Sequence, residues 1–361
     1  MQKFLVIQTA FIGDVVLATA LLEKLHAYFP DAQIDFLVRK GNEALLAEHP
    51  WLHSVLVWDK KQNKIKNLWT MGRRIRREKY STVINVQRFA ATGLLTIFSG
   101  AKETIGFDKN PFSLFFTRRI PHLISVPVKG GMGAATAATP NLHETQRNQA
   151  LISAFTDAKA ARPRLYPTAK DIEAVRGFKN TPYITISPAS VWFTKQYPAD
   201  KWIDFIKKIP EKYTVYLLGA PSDHERCQSI IDGVNNVAGA DSKRGGGAAE
   251  PVNLSGKLSF LRSAALMVDA VMNYVNDSAP MHFASAVNAP VTAVYCSTIP
   301  GFGFGPLSDE SYIVEITEPL DCRPCGLHGY KACPLKHFNC ARKIRDEQLL
   351  ENLVNSRENG H

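Results

Sequence analysis

The 361-residue sequence predicts an α/β protein of two consecutive domains, each built on a parallel sheet. Three observations support this prediction. Short apolar runs alternate with helical patterns early in the chain, a proline-containing segment at 158–167 interrupts them, and the alternation then starts again. We therefore predict domains at residues 1–165 and 166–340 and a C-terminal helix at 341–361.

In the first half, an apolar strand at 3–8 (KFLVIQ) is followed by a helix with a buried face that ends at Pro30. The stretch 125–142 is rich in Gly, Ala, Thr and Pro without a period, which predicts a loop or an insertion. The other predicted elements are strands at 34–38, 54–58 and 82–86 and helices around 42–48, 64–78 and 143–156.

The second half begins with the strand YITIS at 183–187, which ends at Pro188. Its other predicted elements are strands at 213–219, 270–275 and 290–295 and helices around 199–208, 260–268, 279–287 and 345–354. Two such halves suit a ligand cleft between domains, facing the carboxyl ends of the strands.

The composition is that of a folded globular protein, with 45% hydrophobic and 21% charged residues. We find neither an apolar run of transmembrane length nor a secretory signal pattern, so we expect a cytoplasmic location. The net charge of +10 is concentrated in basic runs at 60–66 and 73–79. Such runs indicate a solvated helix face, or a surface attracted to anionic lipids or phosphorylated substrates. Without a recognisable DNA- or RNA-binding motif, no nucleic-acid partner is predicted.

The first chemical motif, Gly13-Asp14, lies where a strand gives way to a helix. Gly13 permits a close backbone approach, and Asp14 is either a helix cap or a general base that faces the cleft. The pattern GxGxxG is absent here, so nothing supports NAD binding. Arg88 follows a strand end on the same side and is either a surface residue or a ligand of an acceptor anion.

Three motifs follow strands of the second half. Ser190, Thr194 and Lys195 form either a simple turn or a site for a pyrophosphate. The run from Asp277 to His282 opens a helix whose start could bind an anion, or where Asp277 or Ser278 merely caps. Asp223 is either an N-cap or a ligand of ribose hydroxyls.

Four clustered cysteines form the last motif: Cys322, Cys325, Cys333 and Cys340. A CxxC with two further thiols is compatible with a structural zinc site. The second pair is not a CxxC, so packing or a redox-sensitive cluster is the alternative interpretation.

The order of these motifs resembles glycosyltransferase family 9, the ADP-heptose:lipopolysaccharide heptosyltransferases. The resemblance runs over nearly the whole chain and rests on Ile12-Gly13-Asp14, the run 143–148 (HETQRN), Pro188-Ala189-Ser190, the run 194–198 (TKQYP), the run 253–257 (NLSGK) and the run 276–282 (NDSAPMH). The cysteine-containing tail is similar to that of many second-step heptosyltransferases. Two departures are Ala279, where the family usually has Gly, and the run 296–300 (CSTIP), where it usually has Gly-Pro-Thr-Asp-Pro.

The resemblance implies a GT-B fold: two Rossmann-like domains, the first binding mainly the acceptor and the second the nucleotide-sugar. It implies that Asp14 is the catalytic base, that Gly13 and Arg88 belong to the acceptor side, and that no cofactor is required. The implied donor-binding residues are Ser190, Thr194, Lys195, Asp223, Lys257, Leu258, Asp277, Ser278, Ala279 and His282.

The implied partners are ADP-heptose, a lipopolysaccharide precursor and the inner face of the inner membrane. The alternatives are a GT-B enzyme with another donor or a protein acceptor, and a non-catalytic metal or redox module built on the cysteines.

Overall fold

The computed structural model describes residues 2–124, 141–236 and 251–359. These residues form two compact units, with Tyr166 the last residue of the first and Pro167 opening the second. The loop or insertion predicted at 125–142 lies almost entirely outside the described residues.

The first unit alternates strands and helices. In chain order its elements are β1 (Lys3–Ile7), α1 (Ile12–Tyr28), β2 (Gln33–Arg39), β3 (Ser54–Trp58), α2 (Lys64–Arg77), β4 (Thr82–Asn85), α3 (Ala90–Phe98), β5 (Glu103–Phe107), β6 (Arg118–Ile120) and α4 (Glu144–Ala150). The strands pair in parallel in the order β3-β2-β1-β4-β5-β6. The direction of winding changes between β1 and β4, the place where open α/β sheets bind ligands.

The second unit repeats this plan. Its elements are α5 (Ala169–Val175), β7 (Tyr183–Ser187), α6 (Ala199–Lys208), β8 (Thr214–Leu217), α7 (His224–Asn236), β9 (Val252–Asn253), α8 (Phe260–Val268), β10 (Met272–Asn276), α9 (Ala279–Ala286), β11 (Val291–Tyr295), β12 (Ser311–Glu315), α10 (Asn339–Arg342) and α11 (Asp346–Asn359). The parallel order is β12-β11-β10-β7-β8-β9, so the change of winding falls between β7 and β10.

The central strands of each sheet are buried on both faces, as expected for parallel sheets. In the second unit, Tyr197, Trp202, Phe205 and Tyr274 stack edge to face beside the sheet, with ring centroids 4.7–6.0 Å apart. The C-terminal helix α11 joins this unit through Asp346, whose carboxylate contacts lysines of α6. Among the described helices, none has the length and apolarity needed to cross a bilayer.

Two predicted helices are shorter than expected. The helix predicted at 143–156 ends at Ala150, where the Gln149 side chain bonds the carbonyl oxygen of Asp157 and the Thr156 hydroxyl instead. The helix predicted at 42–48 is a single 3-10 turn at Glu43–Leu46, and Pro50 follows soon after it.

Candidate functional site

In the first unit, polar side chains join the ends of β1 and β4 at the change of winding. Thr9 Oγ1 donates to Gln87 Oε1 over 2.6 Å, and Gln87 Nε2 donates to Gln8 Oε1 over 2.7 Å. All three residues are buried. This network fixes the loop that leads into α1, and with it the position of the first helical turn.

Asp14 lies in that first turn, two residues after Ile12 begins the helix. The N-cap is Phe11, which makes no side-chain cap bond, so Asp14 does not occupy the capping position considered for it. Gly13 is buried and Asp14 is half-buried. The positive end of the helix favours a negatively charged side chain at this position.

Lys60 is a residue of this region that sequence reasoning overlooked. It follows β3, precedes α2, and donates from Nζ to the carbonyl oxygen and the hydroxyl of Thr9 over 3.1 and 2.6 Å. Burial, together with the charge of Arg39, lowers the pKa of Lys60 to about 8. The sequence signal was its position directly after a strand, which its place in a basic run obscured. Arg88, predicted nearby after β4, is exposed.

In the second unit, Lys195 and Asp277 form a buried ion pair. Lys195 Nζ lies 2.7 Å from Asp277 Oδ2, and the two side chains are only 14% and 7% exposed. The same carboxylate oxygen accepts a 2.6 Å hydrogen bond from Thr298 Oγ1. The predicted pyrophosphate lysine and the predicted sugar-binding carboxylate are thus in direct contact, and Thr298 is an additional member of the site.

The other predicted residues of the loop after β7, Ser190 and Thr194, form hydrogen bonds within the protein. Thr194 is buried, and its hydroxyl accepts hydrogen bonds from Ser297 Oγ at 2.9 Å and from the backbone N–H of Tyr330 at 2.8 Å. The Ser190 carbonyl oxygen accepts a bond from the Gln196 side chain at 2.6 Å. The loop that carries Lys195 is therefore held rigidly, which suits a site that needs a fixed charge.

The helix α9 begins next to this pair. Ser278 is its N-cap residue but makes no side-chain cap bond, and Ala279 is its first helical residue. His282 is buried one turn further on. Pro280 has no N–H, and the Met281 N–H donates to the Ser278 carbonyl oxygen over 3.1 Å, so at this helix start the Ala279 N–H is the group suited to an anion.

Two buried polar atoms at the change of winding have no hydrogen-bond partner among the described residues: Ser187 Oγ, at the end of β7, and Asn276 Nδ2, at the end of β10. Unpartnered buried polar groups are uncommon and mark places where a ligand or a water completes the bonding. They support a ligand site at this edge of the sheet.

Asp223, Lys257 and Leu258 belong to two loops that the structure ties together after β8 and β9. Gly256, with φ +74°, donates its N–H to the Gly219 carbonyl over 2.9 Å. Asp223 is not the N-cap residue considered for it: the N-cap is Ala220, and Asp223 Oδ2 accepts the Ala220 N–H over 2.8 Å from the third position of the turn. Its ribose role stays a prediction, as does the place of Lys257 and Leu258 beside the adenine.

The cysteine cluster does not have the arrangement of a metal site. Cys322 Sγ lies 4.0 Å from His337 Nε2, and Cys325 Sγ contacts the Cys322 carbonyl oxygen at 3.4 Å. Within the described ranges, no three Cys, His, Asp or Glu side chains are grouped so that they could hold a metal ion. Burial raises the pKa of the Cys340 thiol to about 12, which favours the neutral thiol and hence packing.

Comparison of the sequence with known proteins identifies the family. The profile of glycosyltransferase family 9 (heptosyltransferase) matches residues 68–331. Lipopolysaccharide heptosyltransferase 3 of Escherichia coli is 27% identical over 299 residues, which cover 80% of this chain and 82% of that protein.

Two solved structures share the fold over almost their full length. ADP-heptose lipopolysaccharide heptosyltransferase II of E. coli superposes with a TM-score of 0.75 at 20% identity, covering 99% of this chain and 100% of that one. A family 9 glycosyl transferase from Veillonella parvula gives a TM-score of 0.78 at 19% identity, covering 99% and 98%. The predicted GT-B fold of two Rossmann-like domains is confirmed.

Proposed function

This chain belongs to glycosyltransferase family 9, the heptosyltransferase family, and we propose that it transfers a heptose from ADP-heptose to a sugar of the lipopolysaccharide inner core. The observation that carries the donor assignment is the buried contact of Lys195 with Asp277 beside the start of α9. This contact places a cation suited to a diphosphate and a carboxylate suited to sugar hydroxyls together, next to the positive end of a helix.

The proposed reaction is a single displacement that inverts the anomeric carbon. Asp14 takes the proton from an acceptor hydroxyl, whose oxygen attacks that carbon while the bond to the diphosphate breaks. The negative charge that develops on the leaving ADP is stabilised by Lys195 and by the start of α9 at Ser278 and Ala279. In this scheme the countercharge comes from the protein, and Asp277 holds hydroxyls of the heptose.

On the acceptor side, we assign Lys60 and Arg39 to an anionic group of the acceptor. Among the described residues Lys60 forms no ion pair; its ammonium group bonds the neutral oxygens of Thr9 and lies 4.8 Å from the centre of the Trp58 ring. A half-buried cation next to a second cation is costly unless an anion neutralises it, so we expect the acceptor to present a carboxylate or a phosphate here. Arg88 and Gly13 keep the acceptor-side roles predicted for them.

The proposed location is the inner face of the inner membrane, through α2 and its neighbour α3. Lysines and arginines cover the exposed side of α2: Lys64, Lys66, Arg73, Arg74, Arg76 and Arg77. Among them Ile65 is 74% exposed and Trp69 is 54% exposed, and the Trp69 ring lies 5.5 Å from that of Phe98. Basic side chains around exposed aromatic ones suit an anionic lipid surface.

A structural zinc is not part of this proposal, because the arrangement of the cysteines gives it no support. Other sugar donors are separated from ADP-heptose by competition. If a UDP-sugar displaces ADP-heptose at equal concentration, the donor assignment is wrong.

The test of the function is ADP release. The protein is mixed with ADP-heptose and heptose-deficient lipopolysaccharide core, and Asp14→Asn is compared with wild type. We expect release only when the acceptor is present, and a loss of about 100-fold or more in the variant, since a general base contributes at least this much. ADP-heptose binding should be unchanged in Asp14→Asn. Equal rates of ADP release in wild type and Asp14→Asn would show that Asp14 is not the general base.

A further inference from the structure

One arginine of the segment after β12 contacts the loop that borders the donor site. The Arg323 side chain is 11% exposed and is paired with Glu315. Its Nε donates to the Cys296 carbonyl oxygen over 2.8 Å, and its Nη2 to the carbonyl oxygen of Thr298 over 2.7 Å. A longer contact of 3.3 Å reaches the Tyr295 carbonyl oxygen. One guanidinium thus binds two carbonyl groups of the loop that leaves β11 and contacts a third at the end of the strand.

The side chains of that loop contact both halves of the donor site. Thr298 donates to Asp277, and Ser297 donates to Thr194, the neighbour of Lys195. The same segment supports the loop again further along, where the Cys325 N–H donates to the Ser297 carbonyl oxygen over 2.8 Å. The position of the Thr298 hydroxyl therefore depends on backbone contacts made from outside the loop.

We propose that Arg323 is a positioning residue of the donor site, which acts through Thr298 to orient Asp277 toward the sugar of the donor. The proposal rests on the proposed function, in which Asp277 binds the heptose. Thr298 supplies Asp277 with a hydrogen bond that does not depend on Lys195. The carboxylate therefore stays oriented when Lys195 turns to the diphosphate.

The geometry explains why an arginine is needed here. Its planar fork offers several N–H donors in fixed directions, so one side chain binds carbonyl groups that point in different directions. A lysine has a single ammonium group and holds fewer of them in place. We therefore expect Arg323→Lys to retain only part of the wild-type affinity for ADP-heptose and Arg323→Gln to retain less.

The experiment measures binding of ADP-heptose and of ADP by calorimetry. ADP lacks the sugar, so its affinity reports the diphosphate and nucleoside contacts alone. We expect Thr298→Val to lower the affinity for ADP-heptose by about tenfold, which is the effect of losing one hydrogen bond to a charged group. The affinity for ADP should fall much less. Thr298→Ser keeps the hydroxyl and should recover most of the ADP-heptose affinity that Thr298→Val loses. Arg323→Gln should show the same selective loss as Thr298→Val.

Two further measurements test whether Arg323 acts through Thr298. The double variant Arg323→Gln/Thr298→Val should bind ADP-heptose no more weakly than the worse single variant, because the effects of two residues that act through one contact are not additive. In steady state, the loss should appear in KM for ADP-heptose rather than in kcat, since a ground-state contact is removed. The matched control is Arg342→Gln, an exposed arginine of the same unit whose partner is Asp200.

Each result decides between the explanations. Equal weakening of ADP and ADP-heptose, or additive losses in the double variant, would make Arg323 a general structural residue and overturn the proposal. Wild type that binds ADP but not ADP-heptose would instead refute the donor assignment in the proposed function. A selective, non-additive loss that Thr298→Ser does not show supports the positioning role.

Discussion

Replacing Lys195 with methionine tests whether the buried ion pair holds the donor site together. The pair is 2.7 Å long and its side chains are 14% and 7% exposed, so the Asp277 carboxylate has little access to water. In Lys195→Met, Asp277 keeps its hydrogen bond from Thr298 but loses its countercharge. An uncompensated charge is then left inside the second unit.

Breaking a buried pair by removing one partner costs about 3–5 kcal/mol. Because Thr298 still donates to Asp277, we expect the lower end, about 3 kcal/mol of unfolding free energy. The control is Lys343→Met, whose partner is Glu318 in a pair with side chains 46% and 62% exposed. An exposed pair of this kind contributes about 0–1 kcal/mol.

The assay is urea unfolding of the two variants and of Lys195→Met/Asp277→Asn. The double variant has no charge at this buried site, so it should regain most of the lost stability while its donor binding stays impaired. A single variant as stable as Lys343→Met would refute the reasoning. So would a double variant as unstable as Lys195→Met, because the cost would then not come from the unpaired carboxylate.

Three more predictions concern other parts of the molecule. Since the pKa of Lys60 is about 8, its charge is lost as pH rises through that value; kcat/KM for the acceptor should fall between about pH 7 and 9, and Lys60→Arg should abolish this fall. Trp69→Ser should lower binding to anionic vesicles at high salt, where charge attraction is screened, whereas Ile172→Ser, an exposed apolar control in the second unit, should not. Gly329→Ala should weaken ADP binding, because the new methyl would lie 2.8 Å from Thr194 Oγ1 at a residue with φ +75°. A flat pH profile in wild type, unchanged vesicle binding, or unchanged ADP affinity would contradict the respective prediction.

The sequence predicted the fold well because alternating strands and helices are a local signal. It predicted the strand–helix connections that contain Asp14, Lys195 and Asp277, since each of these polar motifs follows a buried strand in the chain. The structure brings Lys195 and Asp277 into contact. Whether Asp14 is the base stays a prediction.

The contacts made over long sequence separations could not be predicted. The Thr194 hydroxyl bonds Tyr330, 136 positions away, and nothing local indicates this partner. The cysteine motif drew attention to possible metal ligands and away from Arg323, which lies between two of the cysteines. Lys60 could not be distinguished from the other charges of its basic run, because the run carries no information about which side chain is buried.

The ion pair between Lys195 and Asp277 also has a consequence for turnover. Without donor, the lysine is neutralised by the protein's own carboxylate, so any diphosphate must first separate the two. Under the proposed roles, the diphosphate of ADP-heptose binds Lys195 while the sugar hydroxyls donate hydrogen bonds to Asp277. ADP has no sugar hydroxyls that could replace the lysine as a partner of Asp277. The spent nucleotide is therefore held less firmly than the donor, and the pair closing again behind it favours product release and limits inhibition by ADP.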